Sequence, residues 1–521
     1  MLVPLTIYSV LVAFAATHQR DQINPDAVNY LRNALYLAEG RGGDSVSGYW
    51  SPLISWLIAP LLYLQVDSLI AARIVLACSG ALLIAASTAF LRKLAEPTPA
   101  TQILVGTLIS ISAVFLATNV ISPDIILAAC LIAYCTFVVS PDLLESRKTP
   151  LLCGLFGGIS YLAKAYGFPF FLAHFSFSVA LRWLFRRQEV SIRSAAAAWG
   201  LGLLVFGAVS APWIGVLSSK YDRLTYSTTA EIIYALNGPG WKTPEQAKKQ
   251  LHPAIEGRIY VGEVIDTLYL DAPSWSPLES RENLLYQLTY SIDNGRRIIN
   301  DLSAFDLLGI TLVALVFFPL IALGQARRET FPAFWMLGTA AIFCAPFLLV
   351  YYEVRYIEAF LWPLCCAYCV AIVVPAVREL TARGRMAGIL GSVAVGLAAL
   401  SFAGGAALRI VPRLGNADSV YRDVANALRS DGVVGPIAAG DSTIQFGLYV
   451  SYFLDQPYLG VPGEETVTEV EAALGRHGAR TFLVQSDWPL AEAFRQQTSW
   501  RSKRVIQRRG GTTAVYEAPN G

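Results

Sequence analysis

The chain has 521 residues, 55% of them hydrophobic and only 15% charged, and its mean hydropathy of +0.48 lies above that of a water-soluble domain of this length. A formal net charge of +2, with basic residues in short clusters between apolar runs and no basic face, excludes a nucleic-acid footprint. The eight cysteines all sit in apolar runs, where a thiol acts as a small hydrophobe, and the four histidines have no HExxH or paired spacing, so disulfide staples and a zinc-hydrolase site are both excluded.

Apolar runs long enough to span a bilayer fall near residues 1–17, 68–91, 101–120, 125–140, 151–163, 166–185, 195–217, 304–323, 331–351, 357–377 and 386–405, about eleven in all. The pair around Lys164 also reads as one broken span. No basic residue precedes the first run, so it is expected to be an uncleaved span rather than a signal peptide cut near Ala13-Phe14-Ala15. After it, Asn24 and Pro25 open a helix whose Ala27, Leu31, Ala34, Leu35 and Ala38 share one face until Gly40 ends it. Ser51-Pro52 starts a second helix, apolar over 53–66 but short for a span, and both helices are expected at the membrane surface.

Arg92-Lys93, Arg147-Lys148, the set Arg182, Arg186, Arg187 and Arg193, the pair Arg327-Arg328, and the set Arg378, Arg383 and Arg385 occupy every second connection. The positive-inside bias then assigns those connections and the N-terminus to the cytoplasm, and the segments 18–67, 218–303 and 406–521 to the outside. Cys366 and Cys369 form a CxxC on an apolar helix, where packing is the expected role. From about residue 417 the pattern changes: helical runs at 420–428, 467–474 and 490–497 alternate with β-rich runs at 433–438, 481–484, 505–506 and 514–516. Arg508-Arg509-Gly510-Gly511 reads as the turn of a final hairpin. The expected architecture is an α-helical polytopic membrane protein with outer-face amphipathic helices. It divides into a transmembrane module over 1–405 and a small extracytoplasmic α/β domain over 406–521.

Ionisable groups break the apolar pattern on the outer side at four places. Asp26 stands in the first turn of the first-loop helix, where the macrodipole alone would favour an acid. In Ser122-Pro123-Asp124, Ser122 is expected to cap and Pro123 to open the fourth span, which sets Asp124 at the edge of hydrocarbon. Lys164 lies between two spans, where a snorkelling lysine is the structural alternative. Arg355, in Tyr351-Tyr352-Glu353-Val354-Arg355-Tyr356, sits at an outer turn, with Glu353 or Glu358 as ordinary ion-pair partners; Arg73 is a weaker member of the set. Two carboxylates and two or three cations on one face suit group transfer: a carboxylate can take the proton of an acceptor hydroxyl, and Lys and Arg can stabilise charge on a departing phosphate. Outside the cytoplasm no nucleotide sugar is at hand, so the donor would be carried on a lipid phosphate.

At these residues the chain resembles the GT-C glycosyltransferases, particularly the bacterial relatives of protein O-mannosyltransferases and of the lipid A aminoarabinose transferase. Ile23-Asn24-Pro25-Asp26-Ala27-Val28-Asn29-Tyr30, followed by Leu37-Ala38-Glu39-Gly40, is similar to that family's first outer loop. Gly48-Tyr49-Trp50-Ser51-Pro52-Leu53 is like the start of the loop's second helix, and Ser122-Pro123-Asp124 like the second outer acidic position. Gly158-Ile159-Ser160-Tyr161-Leu162-Ala163-Lys164 resembles the segment carrying a lysine that faces the site. Ala211-Pro212-Trp213, Lys220-Tyr221 and Thr225-Tyr226-Ser227 resemble the exit of the seventh span, and Arg355-Tyr356 the late outer Arg-Tyr. Each match is short; their order over residues 20–360 is the specific part.

The resemblance implies an inverting transfer of a sugar from a polyprenyl-phosphate donor to a hydroxyl of a lipid, glycan or protein acceptor, on the outer, periplasmic face of a bacterial inner membrane. Asp26 would be the catalytic base, Asp124 the second acid, and Lys164, Arg355 and Arg73 the donor phosphate site; Tyr30, Trp50, Tyr221 and Tyr356 would contact substrate. The paired acids usual in the family's first-loop motif are here reduced to Asn24-Pro25-Asp26, so no cofactor is fixed: a divalent metal, if used, would have Asp26 and Asp124 as its ligand pair. The aromatics of 218–303 (Tyr221, Tyr226, Tyr234, Trp241, Tyr260, Tyr269, Trp275) could cover the cleft or form an interface belt. The alternatives are a transporter or flippase of lipid-linked sugars, which would want charges near the bilayer midplane, and a polymerase or ligase of lipid-linked glycans.

Overall fold

The computed structural model describes residues 2–239, 250–269, 275–303, 327–368, 370–371, 389, 419–441, 444–508 and 511–519. The apolar runs fold as helices: α1 (Leu2–His18), α4 (Ser68–Leu94), α5 (Pro99–Thr118), α6 (Asp124–Val138), α7 (Lys148–Ala163), α8 (Gly167–Arg186), α9 (Ile192–Lys220) and, after the short α10 (Thr229–Leu236) and α11 (Arg281–Ser303), α12 (Arg327–Leu349). Among the described residues α4, α5, α8 and α9 are long and apolar enough to cross a membrane, and α1, α6 and the stretch Phe334–Leu349 are shorter apolar helices. The chain is a multi-pass membrane protein. The expected spans 304–323 and 386–405, Trp241 and Cys369 lie outside the described residues, as does the expected domain boundary near 406.

Side-chain caps fix several helix starts: Asp67 accepts from the amides of Leu69 and Ile70, Thr98 from Thr101, and Ser191 from Ser194. Within the bundle, α7 packs on α9 at backbone distance. A Cβ on Gly154 would meet the Gly202 carbonyl at 2.3 Å, and one on Gly158 would meet Val209 Cβ at 2.6 Å, so only glycine permits this approach. The chain breaks at Lys164, which has extended backbone (φ −153°, ψ 132°), and resumes as α8 at Gly167; the two runs are separate helices. His174, fully buried, is bonded at Nδ1 to the Tyr134 hydroxyl (2.8 Å) and at Nε2 to Thr339 Oγ1 (2.7 Å), so this polar group is satisfied inside the bundle.

The first loop holds α2 (Pro25–Ala38) and α3 (Leu53–Tyr63). Gly40 ends α2's turn with φ +76°, where a side chain would be strained. Asn24 sits at the N-cap with extended backbone, but its side chain does not cap α2: its Oδ1 accepts instead from the amide of Ile121, in the turn leading to Asp124. Helix α2 is covered on nearly every side, with Ala27 to Ala34 and Tyr36 all buried. Helix α3, of 11 residues, leaves Trp56, Leu57 and Tyr63 exposed, as an interfacial helix would.

The C-terminal part contains α13 (Ser419–Ser430), β1 (Ile437–Gly440), α14 (Gln445–Leu454), β2 (Tyr458–Gly460), α15 (Val467–Arg476), β3 (Thr481–Gln485), α16 (Ala491–Gln497), β4 (Arg501–Arg508) and β5 (Gly511–Glu517). The sheet order is β2-β1-β3-β5-β4; β1 is parallel to β2 and β3, while β5 runs antiparallel to β3 and β4. β4 and β5 pair antiparallel from Arg508↔Gly511 outward, as expected of the final hairpin. The free edge of β2 is covered by the loop that follows α10: the amide of His252 donates to Leu459 O at 2.7 Å and that of Tyr458 to Ile259 O at 2.6 Å.

Candidate active site

Four elements bring the ionisable residues together at one end of the bundle. Asp26 is presented by the first turn of α2, Asp124 by the first residue of α6, Lys164 by the break between α7 and α8, and Arg355 by the short turn Val354–Tyr356, which leads into a π-helical turn over Ile357–Leu361. The Arg355 Nη2 donates to Asp26 Oδ2 at 2.8 Å, and its Nε lies 3.4 Å from Asp124 Oδ2 and 2.8 Å from Glu353 Oε2. Lys164 Nζ donates to Asp124 Oδ1 at 2.5 Å. The Ser122 hydroxyl donates to Asp124 Oδ2 at 2.8 Å, so both oxygens of a carboxylate that is 3% exposed are engaged. Ser122 thus acts chiefly on the Asp124 side chain; α6 has no side-chain cap.

The aromatic shell shapes the field. Lys164 Nζ stands 3.8 Å from the Tyr356 ring centroid, a cation–π contact on the lysine's remaining side. Tyr356 stacks on Phe347 at 4.8 Å, and Tyr166 stacks on the same ring at 4.7 Å. A small pocket opens here, its wall formed by Tyr166, Phe343, Phe347 and Phe360 and its polar end by Asp124 and Lys164. Burial alone would lower the Arg355 guanidinium, but Asp26, Asp124, Tyr356 and Glu353 outweigh it and hold its affinity for the proton above the ordinary arginine range. Burial first, and then the negative charge of Asp26, push the Tyr30 and Tyr49 phenols well above their usual value, so both remain neutral hydrogen-bonding groups beside the acid.

Of the residues singled out in the sequence, the structure brings together Asp26, Asp124, Lys164, Arg355 and Tyr356, with Tyr30 in the field of both acids. Arg73 is elsewhere: its Nη2 donates to Gln22 O at 2.7 Å and its Nη1 to Ala117 O at 3.3 Å, tying the start of the first loop to the end of α5. Trp50 packs edge-on to Tyr30 and Tyr49, and its Nε1 donates to Gly262 O at 2.8 Å. The Tyr221 hydroxyl accepts from the Gly48 amide and donates to Asp266. Both hold loops together rather than touching the ionic cluster.

Two buried acids in the loop after α10 were not legible as special. Glu263 accepts from the amides of Ile259 and Tyr260 and, at 2.5 Å, from the Tyr36 hydroxyl, with Arg32 at 3.7 Å and Arg258 at 3.8 Å. Asp266 accepts from Ser47 Oγ, the Gly48 amide, Tyr221 and Lys220 Nζ. Together they clamp residues 259–266 over α2 and the first loop. In sequence both look like ordinary loop charges, and the only hint was the density of aromatics around them.

Asp26 and Asp124 both face Arg355, and among the described residues no group of three or more His, Cys, Asp or Glu side chains forms a metal-binding set. The residues present do not fit a divalent ion held between these two acids.

No family model and no curated protein matches the chain. Its fold is similar to solved structures over nearly its whole length. One is ArnT from Cupriavidus metallidurans bound to undecaprenyl phosphate, with a TM-score of 0.55 and 13% identity, covering 99% of this chain and 98% of that one. Another is the archaeal oligosaccharyltransferase AglB from Archaeoglobus fulgidus in complex with an inhibitory peptide and a dolichol-phosphate, with a TM-score of 0.55 and 10% identity, covering 99% of this chain and 74% of that one. At these identities the likeness is one of fold, and the chain has the GT-C fold that ArnT and AglB share.

Proposed function

We propose that this chain is a GT-C glycosyltransferase that moves a sugar from a polyprenyl-phosphate donor to an acceptor hydroxyl, on the periplasmic face of a bacterial inner membrane. The observation that carries this reading is the meeting of Asp26, Asp124, Lys164 and Arg355 at one end of the bundle, beside a pocket with aromatic walls. A lipid phosphate has matching chemistry at its anionic head, which suits the paired cations Lys164 and Arg355. The bound lipid phosphates of ArnT and AglB support the same donor class.

In the proposed step Asp26 accepts the proton of the acceptor hydroxyl while that oxygen bonds to the anomeric carbon. The bond from that carbon to the phosphate oxygen breaks, and its electron pair leaves with polyprenyl phosphate. Lys164 and Arg355 stabilise the charge gathering on the phosphate. Attack from the face opposite the leaving group inverts the anomeric centre. Tyr30 and Tyr49, kept neutral by burial and the charge of Asp26, would orient hydroxyls of sugar or acceptor. The transmembrane module is assigned to 1–405 and the extracytoplasmic domain to 406–521, with the latter bracing the first loop. The edge position of the charges, rather than a midplane one, favours transfer over transport.

Incubation of the purified protein with a panel of polyprenyl-phosphate sugars and candidate acceptors tests this. Mass spectrometry should detect polyprenyl phosphate released with one donor, and NMR of the product should show the inverted anomer. Release with a retained configuration would contradict the single-displacement step.

A further inference from the structure

We propose that the Arg355 guanidinium, laid across Asp26 and Asp124, holds the place of a bridging divalent cation, so that transfer by this chain is independent of metal. The inference rests on the transferase reading and concerns how its two acids are held. A metal shared by two carboxylates fixes the distance between them and cancels their repulsion. Here a single planar cation does both: one nitrogen donates to Asp26 Oδ2 at 2.8 Å and another lies 3.4 Å from Asp124 Oδ2. The remaining Asp124 oxygen is taken by Lys164 at 2.5 Å, and Ser122 donates to the first. A divalent ion would have to displace Arg355 from both acids or Lys164 from one, and would then stand beside two cations in a buried site.

Arg355 is itself held in place. Its Nε is 2.8 Å from Glu353, whose other oxygen accepts from the Tyr351 hydroxyl at 2.8 Å, and Tyr356 beside it is wedged between Lys164 and Phe347. The residue types support the same assignment: a guanidinium carries N–H groups on three nitrogens of one rigid plane and so spans two carboxylates in a fixed geometry, which the freely rotating ammonium of a lysine does not impose. Arg355 is therefore a positioning residue for Asp26 as well as a partner for the phosphate.

Two measurements test the proposal. Electron paramagnetic resonance of the purified, chelator-washed protein titrated with Mn2+ should show no tight site, and transfer in excess EDTA should stay within about twofold of transfer with added Mg2+ or Mn2+. A tight Mn2+ site in the wild type that disappears in Asp26→Asn, or an EDTA loss of more than about tenfold that Mn2+ restores, would overturn it. The Mn2+ titration decides the matter without turnover. Failure to transfer from any donor would instead count against the transferase reading, so the two failures are separable.

Discussion

Lys164 and Arg73 are both basic residues set in apolar surroundings, yet their environments differ. Lys164 faces a carboxylate and an aromatic ring at the mouth of a pocket, with its side chain 23% exposed. Arg73 is buried, and its guanidinium bonds to the backbone carbonyls of Gln22 and Ala117. The two predict different phenotypes. Lys164→Met should raise the KM for the lipid-phosphate donor and depress kcat while leaving thermal unfolding near that of the parent. Arg73→Met leaves two buried carbonyls short of a donor and should cost about 1–3 kcal/mol of stability, read as a lower unfolding temperature in detergent, with donor KM unchanged. Asp26, Asp124, Lys164 and Arg355, which the structure brings together, were legible as a group because an ionisable residue stands out against an apolar run. Arg73 was grouped with them on the same signal, which cannot tell a cation that faces a cleft from one that ties two backbones. Asn24 shows the same limit: its place before Pro25 signals a cap, while its amide oxygen reaches Ile121 instead.

At the scale of elements, the helices of the bundle were readable because apolar length carries the signal. The apolar run around Lys164, which reads equally as one broken span or two, forms two helices. In the C-terminal part, α13, α15, α16, β3 and the last hairpin follow the expected runs, but α14 and β2 were missed. Helix α14 is buried on most of its faces and shows little periodicity, and β2 has only three residues. The strap over 259–266 was also invisible, because its order comes from contacts with residues more than two hundred positions away. Its stability should hinge on Glu263. Glu263→Gln keeps the shape but leaves Arg32 and Arg258 without the buried charge they face, and is expected to cost about 3–5 kcal/mol locally. Hydrogen–deuterium exchange should then rise in 250–269 well before it rises in α4 or α6; unchanged protection would show that Asp266 alone suffices.

For the whole molecule, the C-terminal part is attached beside the start of α2. Arg422 of α13 pairs with Asp21 at 2.8 Å and Asp67 at 3.3 Å, Ser68 bonds Tyr452 at 2.7 Å, and Arg32 of α2 reaches both Glu263 and Asp455. Helix α2, which carries Asp26, is thereby gripped by the bundle below, the strap across it and the α/β part beside it. Such a grip suits the role proposed for Asp26, which would require one fixed geometry toward an acceptor. If this arrangement makes Asp26 the base of a sugar transfer, removing its charge abolishes transfer without unfolding the protein. With the cognate polyprenyl-phosphate sugar and acceptor, the wild-type protein should release polyprenyl phosphate, whereas Asp26→Asn, unfolding at the same temperature, should release less than about a thousandth as much. Full release by a folded Asp26→Asn protein would show that Asp26 is not the base.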